Sequence, residues 1–280
     1  MPAAIAYAPR GCQRALIAVL ALAGAVACRA APAIELTLRE IADFRPAPRA
    51  PAALPDQLPH SDVAHGTRDI ARAWLAAPTR RYAHAVLGDD LEAGELRVQT
   101  REGATLTARL PVECVFEDLV PRLMDLDGDG RDEIVVVESC QASGAMISIW
   151  GVDAGRLMRK AAGGAIGTPH RWLNPIGFGN FTGDGTLDIA VVQTPHIGGI
   201  VKIYRLRGSG LTLLAERGQY STHALGSTEL ALGRVFRLGA TTSPCSCCVA
   251  VSAVGWPRRG SNGEVSALSA QVALVELRDG

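Results

Sequence analysis

Residues 125–133 read D-L-D-G-D-G-R-D-E and run straight into I-V-V-V. Asp125, Asp127 and Asp129 set carboxylates at alternate positions, and Gly128 and Gly130 supply the sharp turns that gather them. Carboxylates held this close repel one another unless a cation lies between them. A hard cation such as Ca²⁺ takes about six to eight oxygens, and acids at the first, third and fifth places of a tight loop begin that shell. An EF-hand would put a bidentate Glu at the twelfth place and continue as a helix. Here the twelfth place is Val136, inside a β-branched run that predicts a strand. Glu133, at the ninth place, is the better closing ligand, with the Arg131 carbonyl at the seventh. The sequence therefore predicts a short calcium loop inside a β-hairpin.

A second copy stands 55 residues on. Residues 180–188 read N-F-T-G-D-G-T-L-D and enter I-A-V-V, which puts Asn180, Thr182, Asp184, the Thr186 carbonyl and Asp188 at the corresponding places. Asn180 and Thr182 are poorer calcium ligands than aspartate, so this loop is the weaker of the two. Flanking strands recur with the loops, Met146–Trp150 after the first and Val201–Tyr204 after the second. Self-similarity at such a period predicts a repeat architecture in which each unit is one supersecondary element.

The segments P-R-L-M-D-L-D-G-D-G-R-D-E-I-V-V-V (121–137) and G-F-G-N-F-T-G-D-G-T-L-D-I-A-V-V (177–192) resemble the FG-GAP and VCBS repeat family, whose β-propeller blades also form integrin α-subunit heads. The resemblance covers residues 115–220 well and 80–114 weakly. It implies a propeller with calcium between the first two strands of a blade. It implies little about function, because such repeats serve adhesion, ligand binding and accessory roles.

The expected fold is all-β: a propeller of about four to five four-stranded blades over residues 60–235, complete or incomplete. In the first blade, strands are predicted at 83–87, 96–100 and 105–110, with a turn at Glu102-Gly103 and with 69–76 open between helix and strand. The second blade runs over 116–162, with strands at 119–124, 134–137, 145–152 and 156–161. The third runs over 172–217, with strands at 176–179, 189–193, 200–206 and 211–215, and a fourth begins at 230–235. No convincing amphipathic helix interrupts this series. Past residue 235 the repeat should bring another acidic loop, but no acid occurs from Phe236 to Asn262 and three cysteines (Cys245, Cys247, Cys248) fall in four residues. Residues 236–280 are thus an atypical tail. It is either a shifted reading frame in GC-rich DNA, which we favour, or a divergent last blade.

Export is expected. Arg10 and Arg14 precede an apolar run from Ala15 to Ala27 that closes on Ala25-Val26-Ala27, the pattern of a signal peptide over 1–27. Cleavage would leave Cys28 first, where a lipoprotein carries its acyl chains; the match is partial because Ala25 stands where Leu is usual. A soluble periplasmic or secreted protein and an outer-envelope lipoprotein both stay open. No later segment is long and apolar enough for a transmembrane helix. A Pro- and Ala-rich linker or edge wrap follows over 28–59. Oxidising surroundings let Cys114 and Cys140, on either side of the first loop, form a disulfide, or leave them as two buried thiols. C-S-C-C at 245–248 lacks the partners that a zinc site needs.

The 28 Lys and Arg balance 28 Asp and Glu. With no net charge and no basic patch, nucleic acid is not an expected partner. Histidines recur before blades, at His84, His170 and His223, and His196 follows a strand of the third blade. In propellers of the resembled type, segments entering the innermost strand lie near the axis. His84, His170 and His223 are therefore expected to converge with Glu117 or Asp118 and to bind a metal, an anion or a polar ligand. Local capping of turns is the bland alternative. Arg171 and Trp172 add a charge and an aromatic platform suited to a sugar or an acidic ligand. No nucleophile elbow, H-E-x-x-H motif or phosphate-cradling glycine loop occurs, so no catalytic residue is assigned. The functional expectation is an exported, calcium-binding module for a protein or carbohydrate partner, with a hydrolase or lyase using the histidine-bearing face as the alternative.

Overall fold

The computed structural model describes residues 54–237 and the backbone of two further strands. The signal segment, Cys28 and residues 29–53 lie outside the described residues. What is described is all-β, sixteen strands with no helix.

Thirteen strands join in one mixed sheet whose path does not close on itself. Its pairing resolves into three antiparallel meanders. The first is β1 (Ala64–His65), β2 (Ile70–Thr79), β3 (Glu92–Thr100) and β4 (Thr105–Arg109). A short β5 (Cys114–Phe116) leads to the second: β6 (Arg122–Met124), β7 (Glu133–Cys140), β8 (Gly144–Asp153) and β9 (Arg156–Ala162). The third is β10 (Leu173–Gly179), β11 (Asp188–Gln193), β12 (Ile200–Arg207) and β13 (Gly210–Gly218). Only single residue pairs join the meanders: Ala93 with Phe116 between β3 and β5, and Gly210 with Ala162, in parallel, between β13 and β9.

The 55-residue period is visible in the register. Met124 faces Glu133 where β6 meets β7, and Gly179 faces Asp188 where β10 meets β11, each partner displaced by 55. The turn glycines repeat as well: Gly128 and Gly130 have φ of 79° and 86°, Gly183 and Gly185 of 80° and 86°. Side chains other than glycine rarely adopt that region, which is why both loops carry D-G-D-G-like spacing.

The apolar runs become buried central strands. Ile134, Val135, Val136 and Val137 are all fully buried, each contributing about 1.5–3 kcal/mol relative to exposure. Along β11 successive side chains point to opposite faces. Ile189 and Val191 join the main core, while Ala190 and Val192 join a second core with Phe181, Val201 and Ile203. The third meander is therefore packed on both faces. Cys114 and Cys140, directly opposite on β5 and β7, are joined by a disulfide that encloses the first acidic loop.

Several expectations need correction. Residues 83–87 are an irregular loop between β2 and β3, and Ala83 and Ala85 have φ of 48° and 54°, which a strand cannot contain. Residues 69–76 fall largely in β2. The strand expected over 119–124 shrinks to β6 because Asp118 turns the chain, accepting the amides of Leu119 and Val120. The end of the expected linker is packed: Leu58 is buried and donates its amide to the Leu75 carbonyl at 2.9 Å, so the body begins before residue 60. In the tail, β14 (Gly233–Arg237), β15 (Cys247–Ala253) and β16 (Gln271–Leu274) form a three-stranded antiparallel sheet. The sequence left this tail open between a shifted reading frame and a divergent blade; apart from these strands, residues 236–280 lie outside the described residues.

Candidate functional site

Each acidic loop caps the first hairpin of its meander. In the first, Asp125 accepts the amides of Gly128 and Gly130 at 2.7 and 3.1 Å, Asp127 that of Asp129 at 3.1 Å, and Asp129 that of Arg131 at 2.8 Å. These bonds wind the loop so that one oxygen each of Asp125, Asp127 and Glu133 lie within 4.8 Å of one another. Asp129 is turned toward Lys160 instead, at 3.9 Å. Arg131 is held outward by Asp69 and the Val152 carbonyl.

Glu133 is fully buried and accepts the Leu126 amide and the Lys160 ammonium, both at 2.9 Å. Burial pushes its carboxyl up in spite of these bonds, and Asp127 adds to the rise. Lys160 also moves up: its partial burial works against the ammonium, but Glu133 and Asp129 outweigh it. The desolvation cost of the pair falls on Glu133, its more buried partner.

The second loop has the same winding, with Asn180 accepting the Gly183 amide at 2.8 Å and Asp184 the Thr186 amide at 2.9 Å. Its interior differs. The Arg205 guanidinium, nearly buried, bonds Asp188 at 2.6 and 3.0 Å, Thr182 at 2.7 Å, and Asp184. The Thr186 amide and then Arg205 hold the Asp184 carboxyl well below the usual range. Three of the residues expected to face calcium, Thr182, Asp184 and Asp188, thus bond a guanidinium instead.

The histidines gather at the opposite ends of the strands, on four connections: His84 between β2 and β3, His170 between β9 and β10, His196 between β11 and β12, His223 between β13 and β14. Ring centroids run 5.2 Å from His170 to His84, 6.3 Å on to His196 and 6.0 Å on to His223. Tyr82 lies 4.9 Å from His170, and Trp172 4.9 Å from His223. His170 is exposed, His84 largely covered, and His196 and His223 buried.

Acids frame one side. Glu117, buried, bonds His84 Nδ1 with one oxygen and Ser139 Oγ with the other. Glu92 accepts the amides of Ala83 and His84 at 3.2 and 2.9 Å. Burial raises Glu92 to about 7, assisted by the charge of Glu117. The same two causes raise Tyr82 to about 12. Burial lowers His196 to about 4, and lowers His223 against the pull of the Ser227 carbonyl. At neutral pH the buried imidazoles are therefore uncharged acceptors and donors rather than cations.

Two expected members do not take their expected roles. Asp118 serves the chain turn and Arg122, at 2.6 Å. Trp172 is fully buried and donates to the Glu117 carbonyl at 2.8 Å, so it is core rather than a ligand platform. Arg171 bonds the His170 carbonyl at 2.9 Å. Tyr82, Glu92, Ser139, Lys160 and Arg205 were not singled out from the sequence. Only Arg205 carried a signal, standing in the inward row of β12 with Val201 and Ile203.

A narrow cleft lies beside Glu92 and Glu117. A second concave space, about 300 Å³, is lined by Val120, Arg122, Pro175, Leu230 and Arg234 among others. Neither is lined by a histidine. The chain matches no protein-family model, and no curated protein matches it significantly.

Proposed function

We propose that this chain is an exported, calcium-stabilised β-propeller that binds a partner, a protein or a carbohydrate, through the histidine-bearing ends of its strands. The observation that carries the reading is the recurrence of one hairpin, loop and glycine pair at a 55-residue offset, with the first loop's acids gathered. Support for radial repetition comes from the 300 Å³ space: Val120, Pro175 and Leu230, successive at 55 residues, line it together. In a propeller the innermost strands surround a shared axis in this way.

The first loop suits calcium by its chemistry, a hard, all-oxygen set from Asp125, Asp127 and Glu133 with Asp129 in reach after release of Lys160. Bound calcium would supply a positive centre tying β6 to β7. Acidic groups also cluster in turns without an ion, so the loop's recurrence in the fold adds weight that the cluster alone lacks. Thermal melts with calcium and with chelator test the reading. Ligand at a hundredfold excess over Kd stabilises by about 2.7 kcal/mol. A midpoint indifferent to calcium, or an undiminished response in Asp127→Ala, overturns it.

A hydrolase or lyase is the second reading, favoured by Glu92, a buried carboxyl raised to about 7 beside His84. Turnover of chromogenic esters or glycosides that Glu92→Gln abolishes would establish it.

A further inference from the structure

We propose that His84, His170, His196 and His223 form a binding site for one borderline transition-metal ion, of the Zn²⁺, Ni²⁺ or Cu²⁺ class. The proposal rests on reading this end of the strands as the binding face and is independent of calcium in the acidic loop.

The hydrogen bonds of three rings point to it. A backbone carbonyl can only accept, so His170 Nε2, 3.2 Å from the Tyr82 carbonyl, and His223 Nε2, 2.8 Å from that of Ser227, each carry a proton. Glu117 takes the proton side of His84 Nδ1 in the same manner, with its second oxygen held by Ser139. These assignments follow from the network. Each ring is thereby left with a bare lone pair: Nε2 of His84, Nδ1 of His170 and Nδ1 of His223. A ligating histidine characteristically gives its other N–H to a carboxylate or carbonyl, which fixes its tautomer and raises its basicity.

The lone pairs lack protein donors where it matters most. Nδ1 of His223 and Nδ1 of His196 are buried without any hydrogen-bond partner, in side chains 2% and 3% exposed. Leaving such an atom unsatisfied costs about 1–3 kcal/mol. An ion gathered by both would remove that cost.

The spacing of neighbouring rings along the row agrees. With metal–nitrogen bonds of about 2.0–2.1 Å, two imidazoles on one ion have centroids roughly 5–6 Å apart. The three successive pairs here span 5.2–6.3 Å. No three of the ring nitrogens yet lie within 4.8 Å of one another, so closure requires His84 and His170, the less buried members, to turn inward. The backbone is also strained there. Of nine non-glycine residues with positive φ among the described residues, four (Ala83, Ala85, His170 and Thr194) are cluster histidines or lie within two residues of one. Strain concentrated in this way is characteristic of functional sites.

Co²⁺ added to the full chain, in calcium, tests the site by visible absorption and by metal content after dialysis. We expect one ion per chain with nitrogen-ligand bands, displaced by Zn²⁺. His196→Gln and His223→Gln should each weaken binding at least tenfold. Glu117→Gln should weaken it about 10–100-fold by releasing His84. Should the buried variants misfold, exposed His170→Gln should still weaken binding at least threefold. His60→Gln and His65→Gln, at the two histidines outside the cluster, should leave it unchanged. Absence of stoichiometric binding, or binding that survives loss of the cluster histidines, overturns the site. Asp127→Ala should keep full Co²⁺ binding, which separates failure here from failure of the calcium reading.

Discussion

Arg205 reaches from β12 to both carboxylate oxygens of Asp188, at 2.6 and 3.0 Å, inside a loop whose twin gathers Asp125, Asp127 and Glu133. Asp188 is fully buried, so the guanidinium is its compensating charge. Removing one partner of a buried pair leaves an uncompensated charge and costs about 3–5 kcal/mol. Arg205→Met should lower stability by that amount in urea titration. Calcium should then stabilise the variant more than the parent, because Thr182, Asp184 and Asp188 are released. A variant as stable as the parent would mean that the pair is not formed.

Lys160 has the opposite role in the first loop. Its ammonium competes with any entering ion for Glu133. Lys160→Met should tighten calcium binding several-fold by titration calorimetry. In chelator the same variant should be less stable by about 1–3 kcal/mol, since Glu133 keeps its burial and loses its charged donor. Equal calcium affinity in both proteins would show that Lys160 does not compete.

Local patterns carried most of what was legible. The acid and glycine spacing of 125–133 specifies a turn, and the β-branched run after it specifies a strand, because both depend on residues adjacent in sequence. The copy at 180–188 then gave the hairpin register of the third meander. Histidines at 170 and 223 were legible for the same reason, each preceding a strand of a repeating unit. What the sequence hid depends on distant chain. Arg205 meets Asp188 only after β11 and β12 pair, and Lys160 meets Glu133 only across β7, β8 and β9. The loop at 83–87 misled because Y-A-H-A-V-L alternates like a strand. Glu92 accepts the amides of Ala83 and His84 and holds that backbone in a conformation that alternation does not report.

The disulfide spans 26 residues and encloses the first acidic loop. Closing a loop of that length in the unfolded chain is worth about 3.5 kcal/mol. Reduction, or Cys114→Ser with Cys140→Ser, should lower stability by about that much. Both should leave the native far-ultraviolet spectrum intact, since β5 and β7 also pair through Val115–Ser139 and Phe116–Glu138. A thermal midpoint unmoved by reductant would contradict this.

Glu95 gives a pH dependence with a definite sign. Its side chain is 4% exposed and accepts Arg97 at 2.8 Å and Arg109 Nε at 2.9 Å. Burial alone would raise the carboxyl, but the bonds from Arg109 and then Arg97 outweigh it and hold it below its ordinary value. A carboxyl depressed on folding contributes stability that is present above its unfolded pKa, about 4.3, and is lost as pH falls through the folded value. At pH 7 Glu95→Gln should therefore cost about 1.5–3 kcal/mol, the range for hydrogen bonds to a charged group. Asp56, 3.6 Å from Arg97 but mostly exposed, offers little replacement. Urea titrations at pH 7, 5 and 3 should show the parent and the variant separated at the first two and converging at the third. A separation that stays constant down to pH 3 would show that the carboxylate's charge does not carry the stabilisation.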